Sequence, residues 1–179
     1  LTFFPQYLQQ AGYATGFFGK WHMGAETDAP RPGFSKWVSF RGQGTYGPSD
    51  GLPPARVAAG ERHTLNVDGV STPRRGYITD ELTDYAMDWL ASGRDQTKPF
   101  FLYLPHSAVH FPLYPGRDWV GKSGNGLYGD WVEEIDWSVG EVLAALKRTG
   151  AADNTLVVFS SDNGPWYQGS PGRLRGRKG

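Results

Sequence analysis

The sequence contains no cysteine. Disulfide frameworks, thiolate metal sites and cysteine nucleophiles are therefore excluded within these residues. It also carries no net charge, because 18 Lys+Arg balance 18 Asp+Glu. Binding of nucleic acid or of a membrane surface through bulk electrostatics needs an excess of positive charge, so neither partner is expected. No apolar run approaches the ~20 residues of a membrane-spanning helix. No P-loop and no nucleophile elbow occur, and no GxGxxG follows a predicted strand.

What is abundant is glycine, proline and aromatic side chains. There are 25 Gly and 13 Pro among 179 residues, and aromatics reach 15% with 7 Trp. The first pair of counts is well above the usual combined level of about 12%. Disorder would explain it but not the aromatics, which disordered chains lack. A loop-rich globular fold explains both, with function carried on long connections. The length suits one domain able to bury a sizeable core, and no internal repeat is visible.

Periodicity outlines the elements. Residues 1–11 place Phe3, Phe4, Tyr7 and Leu8 at helical spacing before Gly12. Tyr13–Phe18 is short, aromatic and glycine-bounded, as a buried strand would be. Gly19–Asp80 is mostly loop, with a hairpin at Leu65–Val70 turning through Asp68-Gly69. Thr79–Ser92 predicts a helix, with Thr79 as N-cap and Leu82, Ala86, Trp89 and Leu90 as its apolar stripe. Pro99–Leu104 and Thr155–Ser160 are continuous apolar runs that predict strands buried on both faces. Asp130–Thr149 predicts a long helix burying Val132, Ile135, Val139, Val142, Leu143 and Leu146, with Gly150 as its stop. This alternation predicts an α/β fold with a largely parallel sheet flanked by helices.

In such sheets ligands gather beyond the carboxyl ends of the strands. Three polar clusters fall there. Lys20 and His22 follow the first predicted strand, His106 and His110 the second, and Asp162-Asn163 the third. In extended backbone Lys20 and His22 would share one face, with Trp21 on the other. Such a pair can hold an anion and exchange protons with it, or be an ordinary surface lysine and loop histidine. Asp162-Asn163 offers a carboxylate and an amide oxygen to a hard divalent cation, or forms an Asx turn. His110 is a proton-transfer candidate or an exposed loop histidine. Arg173, Arg175, Arg177 and Lys178 make a glycine-interleaved basic arm, which reads as a solvated or nucleic-acid-contacting arm or as one able to approach a small anion. Taken together, these groups suit a site for an anionic ester. A cation and two lysines would neutralise a sulfuryl or phosphoryl group, and histidines would move protons.

Several stretches carry a family resemblance. Ala11-Gly-Tyr-Ala-Thr-Gly-Phe-Phe-Gly-Lys-Trp-His-Met-Gly24 resembles the second signature of the type I, formylglycine-dependent sulfatases. Lys98-Pro-Phe-Phe-Leu-Tyr-Leu104 with Ala108-Val-His-Phe-Pro112 resembles their histidine segment. Glu133-Glu-Ile-Asp-Trp-Ser-Val-Gly140 and Asp153-Asn-Thr-Leu-Val-Val-Phe-Ser-Ser-Asp-Asn-Gly-Pro165 resemble a later helix and the metal strand. Leu174-Arg-Gly-Arg-Lys-Gly179 is similar to the lysine loop. The motifs follow one another in the family's order through nearly all of the chain.

The resemblance implies an alkaline-phosphatase-like fold and hydrolysis of a sulfate ester. Asp162 and Asn163 would be ligands of calcium, in preference to magnesium. Lys20 would bind the sulfate and the nucleophile's oxygen, and His22 would contact the formylglycine hydrate. His110 would protonate the ester's bridging oxygen, and Lys178 would bind the sulfate. His63 and His106 match no family position and are expected to be structural. A periplasmic or secreted location is also implied.

The family's Cys/Ser-x-Pro/Ala-x-Arg nucleophile segment and its first metal-binding aspartates have no counterpart in the sequence. Residues 1–179 are therefore expected to be part of a catalytic domain. The segment that supplies formylglycine and the C-terminal subdomain would lie outside them, and the 179 residues would be inactive alone. Asp28-Ala-Pro-Arg-Pro-Gly-Phe34 and Trp37-Val-Ser-Phe-Arg-Gly-Gln-Gly44 resemble sulfatases acting on polysaccharide and amino-sugar sulfates. The expected partner is thus a sulfated carbohydrate, with an aryl sulfate as the lesser candidate. Trp37, Arg41 and Tyr46 could contact the sugar or pack the loop. Two other readings stay open: a phosphoryl-transfer member of the superfamily, and a non-catalytic relative that binds sulfated glycans.

Overall fold

The computed structural model describes residues 2–23, 27–47, 63–167 and 169–178. A first helix, α1 (Phe4–Gln10), starts where Pro5 needs no N–H partner and the Gln6 side chain accepts the Phe3 N–H at 2.9 Å. Its apolar stripe is not a core face: Phe4 and Tyr7 are exposed. The strands β1 (Ala14–Gly19), β2 (Lys36–Ser39), β3 (Thr64–Val67), β4 (Val70–Pro73) and β5 (Phe100–Tyr103) form one sheet in the order β4-β3-β2-β1-β5. β1 runs parallel to both β2 and β5, and β2-β3-β4 is antiparallel. The α/β expectation holds, and the sheet is mixed.

The Leu65–Val70 hairpin is present. Asp68 and Gly69 both take positive φ, 52° and 93°, as a two-residue turn between strands requires. Asp68 also ties the turn to β2, accepting from Trp37 N at 2.8 Å and pairing with Lys36 Nζ at 2.6 Å. β2 itself is a strand within the expected loop. It is four residues long, too short for periodicity to reveal.

The helix α2 (Ile78–Asp88) continues through a π-helical turn, Trp89–Gly93. Thr79 is not its cap. Tyr77 precedes the helix, and Thr79 lies inside it with its carbonyl accepting the Thr83 hydroxyl at 2.7 Å. The long helix α3 (Gly126–Arg148) begins four residues before Asp130 and is capped by Thr149, after which Gly150 takes φ 70°. Its buried face differs from the predicted stripe. Trp131, Glu134, Ser138, Ala145 and Leu146 face the core, while Val132 and Leu143 are exposed. The neighbour decides this: Ser138 Oγ meets Thr83 Oγ1 of α2 at 2.6 Å.

Two cores flank the sheet. One joins Phe18, Val38, Leu65, Ile78, Leu82, Trp89 and Trp131 with α2 and α3. The other is a smaller aromatic cluster of Phe17, Trp21 and Trp37, against which Phe3 and Phe34 pack. β5 is only half-buried, because within the described sheet it is an edge with one neighbour. The larger departure is Thr155–Ser160. Its backbone forms no strand, no described residue pairs with it, and Leu156 and Phe159 are 89% and 76% exposed. An apolar run is buried only where a ladder and a second layer exist to receive it.

Candidate anion site at the strand ends

Gly19 closes β1 with φ 146°, and a side chain there would place its Cβ 2.0 Å from the Pro105 carbonyl oxygen. Only glycine lets the segment after β1 approach the segment after β5 so closely. The result is a hydrogen bond from Lys20 N to Pro105 O at 2.8 Å. The two loops carrying Lys20 and His110 are thereby held side by side. Trp21 turns back into the aromatic cluster, as the alternation predicts. The backbone is not extended through His22, however: its φ is 43°, an uncommon conformation for a non-glycine residue. The Gln43 amide nitrogen lies 3.3 Å from His22 Nε2.

His110 is held at both ends. Tyr46 donates its hydroxyl to the His110 carbonyl at 2.8 Å, and His110 N donates to Ser107 O at 3.0 Å. The ring's Nδ1 lies 2.8 Å from Phe111 O. A carbonyl only accepts, so Nδ1 carries the hydrogen and Nε2 is the nitrogen left for chemistry. Tyr46 is itself buried edge-on against Trp131, with centroids 4.7 Å apart, and burial pushes its phenol well above the ordinary value.

The third loop brings the acid and the second lysine. Asp162 accepts from Asn163 N at 2.8 Å, and Gly164 N donates to Ser161 Oγ at 3.0 Å, so the dipeptide sits on a tight exposed turn. The basic arm returns to this turn: Lys178 N donates to Pro165 O at 3.0 Å. Charge coupling records the convergence. Lys20 lies below its ordinary pKa chiefly because of burial, against the opposing Asp162 charge, with a smaller lowering by Lys178. His22 is lowered chiefly by Lys20, then by burial, His110 and Lys178, again against Asp162. Five of the six expected residues thus share one electrostatic neighbourhood, and Asn163 adjoins it through Asp162.

Other expectations resolve here. Trp37 is 1% exposed and stacked on Phe17 at 4.3 Å, and Tyr46 is buried, so neither ring is open to a sugar. Their apolar surfaces serve the core. Histidines 63 and 106 each contact a hydroxyl. His63 Nδ1 contacts Thr45 Oγ1 at 2.9 Å, and His106 Nε2 contacts Ser138 Oγ at 3.3 Å while burial holds its ring down to about 4. Sequence reasoning did not assign the supports, Tyr46 for His110 and Gln43 for His22. Tyr46 is 64 residues from its partner, and no local pattern links them.

Asp162 and Asn163 present two hard oxygens, and this donor chemistry fits calcium. Among the described residues no group of three His, Cys, Asp or Glu gathers to hold a metal. A calcium ion takes about six to eight oxygens, so the remaining donors would come from elsewhere.

Lys20, His22 and His110 thus follow the parallel strands β1 and β5, and Asp162 and Lys178 lie on the loop beside them. A family model described as Sulfatase matches residues 1–179, and the chain belongs to the sulfatase family. It is 33% identical over 172 residues to N-acetylgalactosamine-6-sulfatase of Mus musculus, covering 89% of this chain and 32% of that protein. It is 31% identical over 175 residues to arylsulfatase A of Homo sapiens, covering 88% and 34%. Among solved structures it is similar to Ps i-CgsB in complex with k-i-k-neocarrahexaose, with a TM-score of 0.74, 32% identity, and coverage of 89% of this chain and 39% of that one. The chain therefore spans about a third of the length of the curated relatives it matches.

Proposed function

We propose that the protein hydrolyses sulfate esters of carbohydrates. The observation that carries this reading is that the loops bearing Lys20, His110, Asp162 and Lys178 meet, through Lys20 N–Pro105 O, Lys178 N–Pro165 O and the Phe111–Trp166 ring contact, with His22 coupled to the same charges. The two ammonium groups bind and neutralise sulfate oxygens, where charge accumulates as the S–O bond stretches. His22, held below its ordinary pKa by Lys20, stays neutral near pH 7 and accepts a proton from the attacking hydroxyl. His110, with Nδ1–H committed to Phe111 O, donates from Nε2 to the departing sugar oxygen when the ring is the doubly protonated imidazolium. In the net reaction the ester S–O bond breaks, a water-derived oxygen joins sulfur, and the alcohol leaves protonated.

Asp162 and Asn163 would hold the calcium ion, which when bound withdraws charge from the sulfuryl group and steadies the nucleophile. A formylglycine hydrate would supply the attacking oxygen. With no cysteine here, its usual precursor lies outside these residues.

Steady-state assays of the full-length protein on a sulfated oligosaccharide, 4-nitrophenyl sulfate and 4-nitrophenyl phosphate test the reading. Both sulfates are cleaved and the phosphate is the poorest substrate. Asp162→Ala lowers kcat/KM by at least about a hundredfold. His110→Ala costs about a hundredfold or more on the sugar ester and much less on nitrophenyl sulfate, whose leaving group needs no proton. Preference for the phosphate would replace this reading with phosphoryl transfer, and binding without turnover would make the protein a glycan-binding relative.

A further inference from the structure

Three exposed aromatic rings lie beside the candidate site. Phe111 directly follows His110, and Trp166 and Tyr167 directly follow Pro165, the residue that anchors Lys178. Their rings form a continuous strip: Phe111 and Trp166 centroids lie 6.1 Å apart, and Trp166 and Tyr167 centroids 5.3 Å apart. All three are exposed, at 59%, 46% and 78%. Phe4 and Tyr7 of α1 and Tyr103 of β5 are also exposed; what sets this cluster apart is its place between His110 and the turn that anchors Lys178.

We propose that Trp166, flanked by Phe111 and Tyr167, is a stacking platform for a pyranose ring of the sulfated saccharide. The proposal rests on the carbohydrate-sulfate reading above. Charge complementarity selects this occupant. The strip leads into an arm with Arg173, Arg175 and Arg177, all exposed, and from Trp166 onward the sequence holds no acid. A ligand matching both features presents flat, weakly polar ring faces and repeated anionic groups. A sulfated oligosaccharide has both, whereas an apolar peptide lacks the anions and inorganic sulfate lacks the faces. Rigid aromatic rings stack at low entropic cost, and a single such anchor commonly dominates a binding surface. The platform sets specificity: the lysines hold the ester while Trp166 chooses what the ester is attached to.

The test compares the full-length wild type with Trp166→Ala and Trp166→Phe. Three quantities are read: KM for a sulfated galactan oligosaccharide, the inhibition constant of inorganic sulfate, and calorimetric affinity for the same oligosaccharide. The expected result is a KM raised about tenfold or more by Trp166→Ala, with kcat and the sulfate constant within about twofold, and recovery in Trp166→Phe. An unchanged KM overturns the platform. So does a parallel rise of KM and the sulfate constant, which would make the ring part of the anion site. A lowered Tm with unaltered KM assigns the ring to packing and also overturns it. If the wild type cleaves no sulfate ester, the hydrolysis reading fails separately. Calorimetry then decides the platform: a Trp166-dependent affinity upholds it, and no affinity or an equal one overturns it.

Discussion

Two aromatic-rich regions of the molecule have opposite fates. Phe17, Trp21 and Trp37 sit at the parallel strands, stacked and edge-packed on one another at 4.3 to 5.6 Å, and all are buried. The segment from Leu156 to Tyr167 has as apolar a sequence, yet Leu156, Val158, Phe159 and Tyr167 are exposed. Residue type does not separate the two. What separates them is a hydrogen-bonding partner: β1 has β2 on one side and β5 on the other, while 155–160 has no neighbour among the described residues. Apolar side chains follow the backbone into a core, and the backbone enters only when its N–H and C=O groups are satisfied.

The largest effect that would sharpen this contrast comes from the packed region. Trp37→Ala removes a ring that is 1% exposed and stacked on Phe17, and should cost about 3–5 kcal/mol in a denaturant titration. A loss under about 1 kcal/mol would show that the cluster collapses around the gap.

A second test uses pH. Glu134 is buried on α3, accepts from Gly116 N at 2.7 Å, and is pushed up to about 7 by burial, from an ordinary 4.5. The folded protein therefore keeps a proton that the unfolded chain releases between these values. Its contribution to stability is full below about 4.5 and is lost as pH rises to about 7. Glu134→Gln keeps the acceptor and should remove that fall, read as Tm against pH. His106, held down to about 4 from 6.5, acts in the opposite sense, stabilising above 6.5 and losing this as pH falls. A variant profile parallel to wild type would mean that Glu134 is ionised in the fold.

Smaller effects follow at the edge. Asp68→Ala deletes the Trp37 N–H acceptor and the Lys36 pair, for about 1–2 kcal/mol, and Asp68→Asn should restore most of it. In the open arm Leu174 is 79% exposed, so Leu174→Ala should stay within about 0.5 kcal/mol. A larger loss there would put Leu174 against a surface, and the two regions would differ less than they do here.

Lys20, His22 and His110 were legible because they follow β1 and β5, whose short aromatic or apolar runs are strong local signals. Gly19-Lys20 ends β1, the Pro105–His110 loop follows β5, and Asp68-Gly69 reads directly as a turn. Legibility failed where a partner made the decision. β2 is stable at four residues because β1 and β3 hold it. Val132 and Leu143 have the right period on α3, but α2 draws in Ser138 and leaves those two outside. Tyr46 reads equally well as a sugar contact or a packing residue, and its hydroxyl's reach to His110 settles the matter.

By itself, then, the sequence determined the main helices, the strands β1 and β5, the Asp68-Gly69 turn and the polar groups that follow those two strands, because these depend on residues a few positions apart. The tertiary structure alone decided which aromatic rings are core and which are open, which face of α3 is buried, and how the charges converge. Asp162 and Lys178 act on Lys20 only because the fold closes gaps of more than a hundred residues between Lys20 and the other two. Burial and electrostatic coupling depend on distance in space, and no local pattern encodes that distance.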